Sequence, residues 1–378
     1  MKPLLISTFA AAVMLLFGGV NEVNGGDPLT YEVVGDTVTI RDCKVTTSGE
    51  LEIPSTYEGK PVTGIGSWAF WDCTSLTSVT IPDSVTSIGN FVFHSCSGLT
   101  SVTIGNSVTN FGEGAFFLCG SLASVTIPDS VTSIGGGAFI GCSSLTSIEA
   151  GKSNKEYSSE DGVLFNRNKT HLIQFPRGKS RHYSIPNSVT TIERFAFLWC
   201  SSLTSITIPN SVISIKGSAF ENCRNLTSVT IPDSVTSIGD IAFGACSSLT
   251  SVTIGNSVTS IGDWAFYTCS SLTSVTIGNS VTSIGERAFL YCGRLTSVTI
   301  PDSVTSIGNK AFGFCSSLRS VTIPDSVTSI GNKAFEGCTS LKRITFVGDA
   351  PFFLGANVFS NVSGNARVFI NPDAIGFG

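Results

Sequence analysis

Residues 76–89 read Leu76-Thr-Ser-Val79-Thr-Ile81-Pro82-Asp83-Ser84-Val85-Thr86-Ser87-Ile88-Gly89, and near-copies of this string recur along the chain. After each copy come two variable residues, usually Ala-Phe, two more variable residues and a cysteine. Cys73, Cys96, Cys119 and Cys142 lie 23 residues apart. After a gap of 58, Cys200, Cys223, Cys246, Cys269, Cys292, Cys315 and Cys338 resume the same spacing. Only Cys43 of the 12 cysteines stands outside the register. A fixed period of this size predicts a solenoid with one coil per repeat.

The coil follows from the pattern. Leu76, Val79 and Ile81 share one side of a short strand, and Ser78 and Thr80 point the other way. Pro82-Asp83, or Gly105-Asn106 in the next repeat, turns the chain. Val85 to Ile88 reads as a second extended segment. Gly89 is expected to free the backbone for a corner. Ala-Phe-x-x-Cys is too short for an isolated helix and reads as one helical or 3₁₀ turn. The expected fold class is therefore an α/β repeat solenoid, β-dominated. Ordering one coil costs more entropy than its own apolar residues recover alone, so burial must be completed by neighbours.

Working outward, residues 1–25 read as a signal peptide: Lys2, an apolar run from Leu4 to Val20, then Asn21, Glu22 and Asn24. An uncleaved anchor is the alternative, against which the run is short. Residues 26–66 are expected to form an N-terminal cap, 67–148 repeats, 149–187 divergent coils or an insert, 188–343 repeats and 344–378 a C-terminal cap. Within the insert, Gly162–Phe165 and His171–Phe175 flank Asn166–Thr170 as a β-hairpin. Seven basic residues of the insert, among them Arg167 and Arg177, are largely offset by Glu149, Glu156, Glu160 and Asp161 and read as a solvated loop. The 378-residue chain carries 22 Lys+Arg against 27 Asp+Glu, with 13% charged and 42% hydrophobic residues. That balance excludes nucleic-acid binding by a basic face and excludes charge-driven disorder.

Ile81 to Gly89 and Ala69-Phe70-Trp71-Asp72-Cys73 resemble the BspA-like, or Treponema-type, leucine-rich repeat. So does Asp161–Phe165 followed by Leu172–Pro176, which is similar to that family's divergent coils. The pattern departs from the general leucine-rich one: Ser84 fills the usual Asn/Cys slot, and the next apolar residue comes one position early. The resemblance implies a leucine-rich-repeat superhelix of 23-residue coils. It also implies an exported or surface protein, some members being adhesins toward matrix or cell-surface partners. It carries no catalytic residues over.

Several constellations remain to be weighed. The cysteine column suits buried reduced thiols, since free cysteine behaves as a small hydrophobe; disulfides between neighbouring coils and a metal are the alternatives. His94, His171 and His182 have no recurring Ser, Cys or Asp beside them, which argues against a triad. Asp83, Asp129, Asp233, Asp302 and Asp325 share a turn position with Asn106, Asn187, Asn210, Asn256 and Asn279, and read as turn residues rather than calcium ligands. The outward pairs, such as Ser228/Thr230 and Ser251/Thr253, form a regular hydroxyl lattice. The slots around Ala-Phe collect Trp68, Trp71, Phe91, His94, Phe117, Trp199, Trp264, Tyr267 and Tyr291, a candidate aromatic binding ridge. Toward the C-terminus these slots become Arg287, Lys310, Lys333 and Glu336. The expected function is an exported, non-enzymatic binder of a protein or glycan at a cell surface. It would need no cofactor or metal, no nucleic acid and no membrane span in the mature chain. A passive self-assembling element is the first alternative. A binder of a periodic lattice, polysaccharide or ice, is the second.

Overall fold

The computed structural model describes residues 26–376. The expected leader, residues 1–25, lies outside the described residues. Each regular coil carries two short strands, as the alternation demands. In one coil they are Ser251–Ile254 and Ser260–Ile261. First strands stack in parallel with the 23-residue register, Ser228 on Ser251 on Ser274 on Ser297. Second strands stack the same way, and those from Thr191–Ile192 to Phe353–Leu354 continue the antiparallel strands Tyr157–Glu160, Val163–Asn166 and His171–Gln174 in one eleven-stranded sheet. Leu249, Val252, Ile254, Val258, Ile261, Ala265, Phe266 and Cys269 of a single repeat are all buried. The phenylalanine of each Ala-Phe pair stacks on the next: Phe220, Phe243 and Phe266 have ring centroids 4.9 and 5.3 Å apart and planes within 5°.

The stack begins with an antiparallel hairpin, Leu29–Val34 with Thr37–Cys43, on which Lys60–Ile65 lies parallel. It ends with Arg343–Phe346 and the edge strand Arg367–Ile370, every residue of which is exposed. At the insert, Val163–Asn166 pairs antiparallel with His171–Gln174, and His171 re-enters the parallel ladder on Thr191. Two cores meet here. Leu164 packs into the N-terminal core, while Val163 and Phe165 pack into the C-terminal one. Period-two alternation thus lets one strand seal both. Buried Asn154 ties the insert down: its Nδ2 donates to the carbonyls of Pro128 and Val131, and its Oδ1 accepts from the Glu156 and Tyr157 amides.

The Ala-Phe turn is not helical, and the described residues contain no helix. Trp68 and Asp72 sit at φ 67° and 60°, and the same two slots are left-handed in nearly every coil, including Ile241 and Thr268. A helical turn of L-residues cannot alternate hand in this way. The Ala69 amide donates to Gly66 and the Cys73 amide to Phe70, which puts Trp68 and Asp72 third in successive turns, where a type II turn requires φ > 0. The amides of Trp68, Phe70 and Asp72 instead reach the next coil, donating to Asn90, Val92 and His94. The left-handed cost is offset by this third inter-coil ladder, which a helical turn could not form.

The glycine column also has a different cause from the one expected. Gly89 has ordinary φ, but a Cβ there would lie 2.6 Å from the Ser67 amide nitrogen of the preceding coil. At Gly262 a Cβ would lie 2.6 Å from the Gly239 carbonyl carbon. The need is for close approach, not for turning. Gly262→Ala should therefore cost about 1–3 kcal/mol in urea denaturation, because rigid backbone rather than a mobile side chain must yield. Gly136→Ala, with nothing within 4 Å, should cost nothing. Equal costs at the two sites would remove the close-approach account.

Two further ladders join the coils. Thr259 Oγ1 donates to the Thr236 carbonyl at 3.1 Å, and Thr282 to Thr259 at 3.0 Å. Asp and Asn side chains accept from the next coil: Asp233 Oδ1 from the Asn256 amide at 2.6 Å, and Asp263 Oδ1 from the Glu286 amide at 2.7 Å. The turn acids and amides therefore act between coils. Among the described residues no His/Cys/Asp/Glu group is arranged to hold a metal ion.

Candidate functional site

The aromatic slots converge into two tracts along the coil corners. The first starts at Trp68, stacked on Phe91 at 4.6 Å. His94 lies between, 5.4 Å from Trp68 and stacked on Phe117 at 5.1 Å. Phe117 meets Trp199 edge-on at 6.2 Å, although they are far apart in sequence. The Arg177 guanidinium lies 5.9 Å over Trp199. Trp68 and Trp71 are 44% and 46% exposed, and the other rings of the tract are half-buried. Among the described residues no ring contact joins Trp71 to its neighbours.

The second tract runs Trp264, Tyr267, Tyr291, with contacts of 4.8 and 6.0 Å, and adds Phe314, stacked on Tyr291 at 5.0 Å. Phe314 occupies Tyr291's slot one period on, which is the signal that finds it. Arg287 caps Trp264 at 4.4 Å. Between the tracts the slots hold Ser218, Glu221, Asn222 and Ile241, so the rings stop. Past Phe314, Glu336 pairs with Lys333 at 3.1 Å and with Lys310 at 3.7 Å. One carboxylate thus serves two of the three basic slots.

Local backbone explains the exposure. Trp68, Phe91, Trp199, Trp264 and Tyr291 all occupy left-handed corner positions, while the residues between them, Phe70, Phe93 and Phe266, fill the core. Large rings at these corners cost conformational energy that Gly or Asn would avoid. Burial among the rings lowers the His94 pKa, and its Nδ1 lies 2.9 Å from the Ser95 hydroxyl. A neutral imidazole at neutral pH is the form that stacks on Phe117.

The first-strand face presents the hydroxyl lattice. Ser205, Thr207, Ser228, Thr230 and Thr253 line an open trough of about 670 Å³. At its margin His182 Nδ1 lies 2.6 Å from Ser205 Oγ. Among the described residues no carboxylate bonds that imidazole, so a third triad member is missing. His171 pairs instead with Glu193 at 2.6 Å.

All twelve cysteines are buried free thiols. From Cys96 onward each column Sγ donates to a phenylalanine carbonyl one coil back, as Cys246 does to Phe220 at 3.1 Å and Cys269 to Phe243 at 3.2 Å. Burial pushes Cys200 and Cys269 up to about 12. Such thiols are packing groups with a weak donor, not nucleophiles.

No helix among the described residues is long and apolar enough to cross a membrane. No match is found among curated proteins. A leucine-rich repeat protein from Eubacterium ventriosum is similar at 28% identity and TM-score 0.69, over 82% of this chain and 93% of that one. One from Bacteroides ovatus is similar at 25% identity and TM-score 0.52, over 92% and 99%. The pneumococcal vaccine antigen PcpA shares the fold, at 17% identity and TM-score 0.51, over 93% and 99%. The model of the BspA type leucine rich repeat region matches residues 49–167, 174–294 and 282–375. With its 23-residue coils, parallel ladders and this match over most of its length, the chain belongs to the BspA type leucine-rich repeat family.

Proposed function

We propose that this chain is a non-enzymatic binding scaffold, exported or held at a cell surface, that captures a protein or glycan partner through its aromatic corner tracts. The observation that carries the reading is the ring-to-ring continuity from Trp68 to Trp199, with Trp68 and Trp71 nearly half exposed. Trp and Tyr combine large contact area with few rotatable bonds, which makes them effective anchors. Family membership supports a binding role, since such repeats serve as recognition surfaces. Export rests on the apolar run in residues 1–25.

The test uses the labelled mature chain against arrays of extracellular-matrix proteins, cell-surface proteins and glycans. Replacing Trp68, Trp71, Trp199 and Trp264 together by alanine should weaken the strongest interaction at least tenfold while the far-ultraviolet circular dichroism is unchanged. Unchanged binding would remove the aromatic tracts as the site. A second reading, self-association, is favoured by one observation: Val368, Phe369 and Ile370 lie exposed on the terminal edge strand. A mass that rises with concentration, and no ligand on any array, would favour it instead.

A further inference from the structure

The one cysteine outside the register meets the first cysteine inside it. Cys43 ends the strand Thr37–Cys43 of the opening hairpin. Its separation from Cys73 is 30 residues, not 23. Both are buried, at 1% and 0% exposure. Most column thiols lie 3.0–3.3 Å from a phenylalanine carbonyl of the coil before, from Cys96 onward. Cys73 has no such phenylalanine. Its Sγ lies 3.9 Å from the carbonyls of Cys43 and Lys44. The Cys73 side chain thus reaches the backbone at Cys43, and Cys43 Sγ lies 3.4 Å from Thr47 Oγ1.

We propose that Cys43 and Cys73 form a reversible disulfide that latches the opening hairpin onto the first coil, made and broken by exchange with small-molecule disulfides and thiols. The Cys43 thiolate attacks one sulfur of a disulfide RSSR, forming a mixed disulfide and expelling RS⁻. Cys73 then gives its proton to RS⁻ and attacks Cys43 Sγ, breaking the mixed disulfide and expelling the second RS⁻, which takes up the proton Cys43 released on ionising. Two protein thiols and one RSSR become one protein disulfide and two RSH. The order of attack follows from the pair itself. The neighbouring Cys73 side chain, helped by Thr47, holds the Cys43 thiol below its usual pKa, while Cys43 and burial push Cys73 up. Exchange proceeds through local opening of the hairpin, which among the described residues has a coil on one side only. The remaining column is excluded because, Cys200 apart, its thiols are held at 3.0–3.3 Å by phenylalanine carbonyls, whereas Cys73 makes only contacts of 3.9 Å.

The test is peptide mass mapping of the full chain, equilibrated in oxidised or reduced glutathione and alkylated on denaturation. In the oxidised sample one bridge, Cys43 to Cys73, should appear, with the remaining column cysteines recovered as alkylated free thiols. The melting temperature of the oxidised chain should exceed that of the reduced chain by several degrees. Cys43→Ser should abolish both the bridge and the redox dependence. Recovery of Cys43 and Cys73 as free thiols under the oxidised poise would overturn the proposal. So would bridges between in-register cysteines. Should Cys43→Ser fail to fold, the oxidised and reduced native chain decide the matter without it.

Discussion

Raising the pH from about 9 to about 11 is expected to unfold the chain in one steep transition. From Cys96 to Cys338, ten column thiols have pKa values raised by burial above the ordinary value of 9.0. A raised acid pKa means that the folded state keeps its protons where the unfolded state has lost them. Stability is therefore fully present below the unfolded pKa and falls as the pH rises above it. Each thiol removes about 1.4 kcal/mol per pH unit, and ten remove about 14 kcal/mol. That exceeds the net stability of a typical domain within one unit. The check is to follow thiolate absorbance and far-ultraviolet circular dichroism together. Beyond the single Cys43 thiolate, both should change at the same pH, because each of these ten thiolates forms only in unfolded chains. Absorbance of more than that one thiolate rising near pH 9 while the strand signal persists would mean that the column is wet, and the packing account would fail.

Phe243→Ala is expected to cost about 3–5 kcal/mol in urea denaturation. Phe243 is fully buried, with Phe220 on one side at 4.9 Å and Phe266 on the other at 5.3 Å. Each stacked pair adds about 0.5–1.5 kcal/mol beyond the buried area. The cavity cannot collapse, because the coils above and below are held apart by backbone ladders at several corners, including the Phe243 amide on the Ala265 carbonyl at 2.8 Å. In a stack held by nearest-neighbour contacts, a mid-column loss also weakens the coupling between its two halves, so the transition should broaden. Phe359→Ala, at the end of the column with a partly buried ring stacked on Phe335, should cost less. Equal costs at both ends and middle would contradict the stacked-column account.

Much of the fold was legible because the period repeats the same decision many times. The Ser228-to-Ser297 register and the buried columns of Leu, Val, Ile, Phe and Cys follow from alternation and spacing alone. The Ala-Phe turn was not legible. Ile241 and Thr268 resist left-handed φ, so local propensity points away from the conformation that inter-coil hydrogen bonding imposes. Gly89 pointed to the right corner for the wrong reason, since φ is ordinary and proximity is what excludes a Cβ. For the candidate site, membership of the tracts could be read from slot position. The Phe117–Trp199 contact could not, because residues 149–187 intervene with another period.

The amino-acid order by itself determined that coils of one length stack in one register and that certain side chains must face inward. Only the tertiary structure decided what touches across the gap between coils: thiol to carbonyl, Asx oxygen to the next amide, ring to ring, and Cys43 to Cys73. The reason is physical. Strand alternation and turn chemistry act within a repeat and are written locally. Contacts between repeats depend on how closely two backbones approach and on which corner atoms then face each other, and no single repeat encodes that distance.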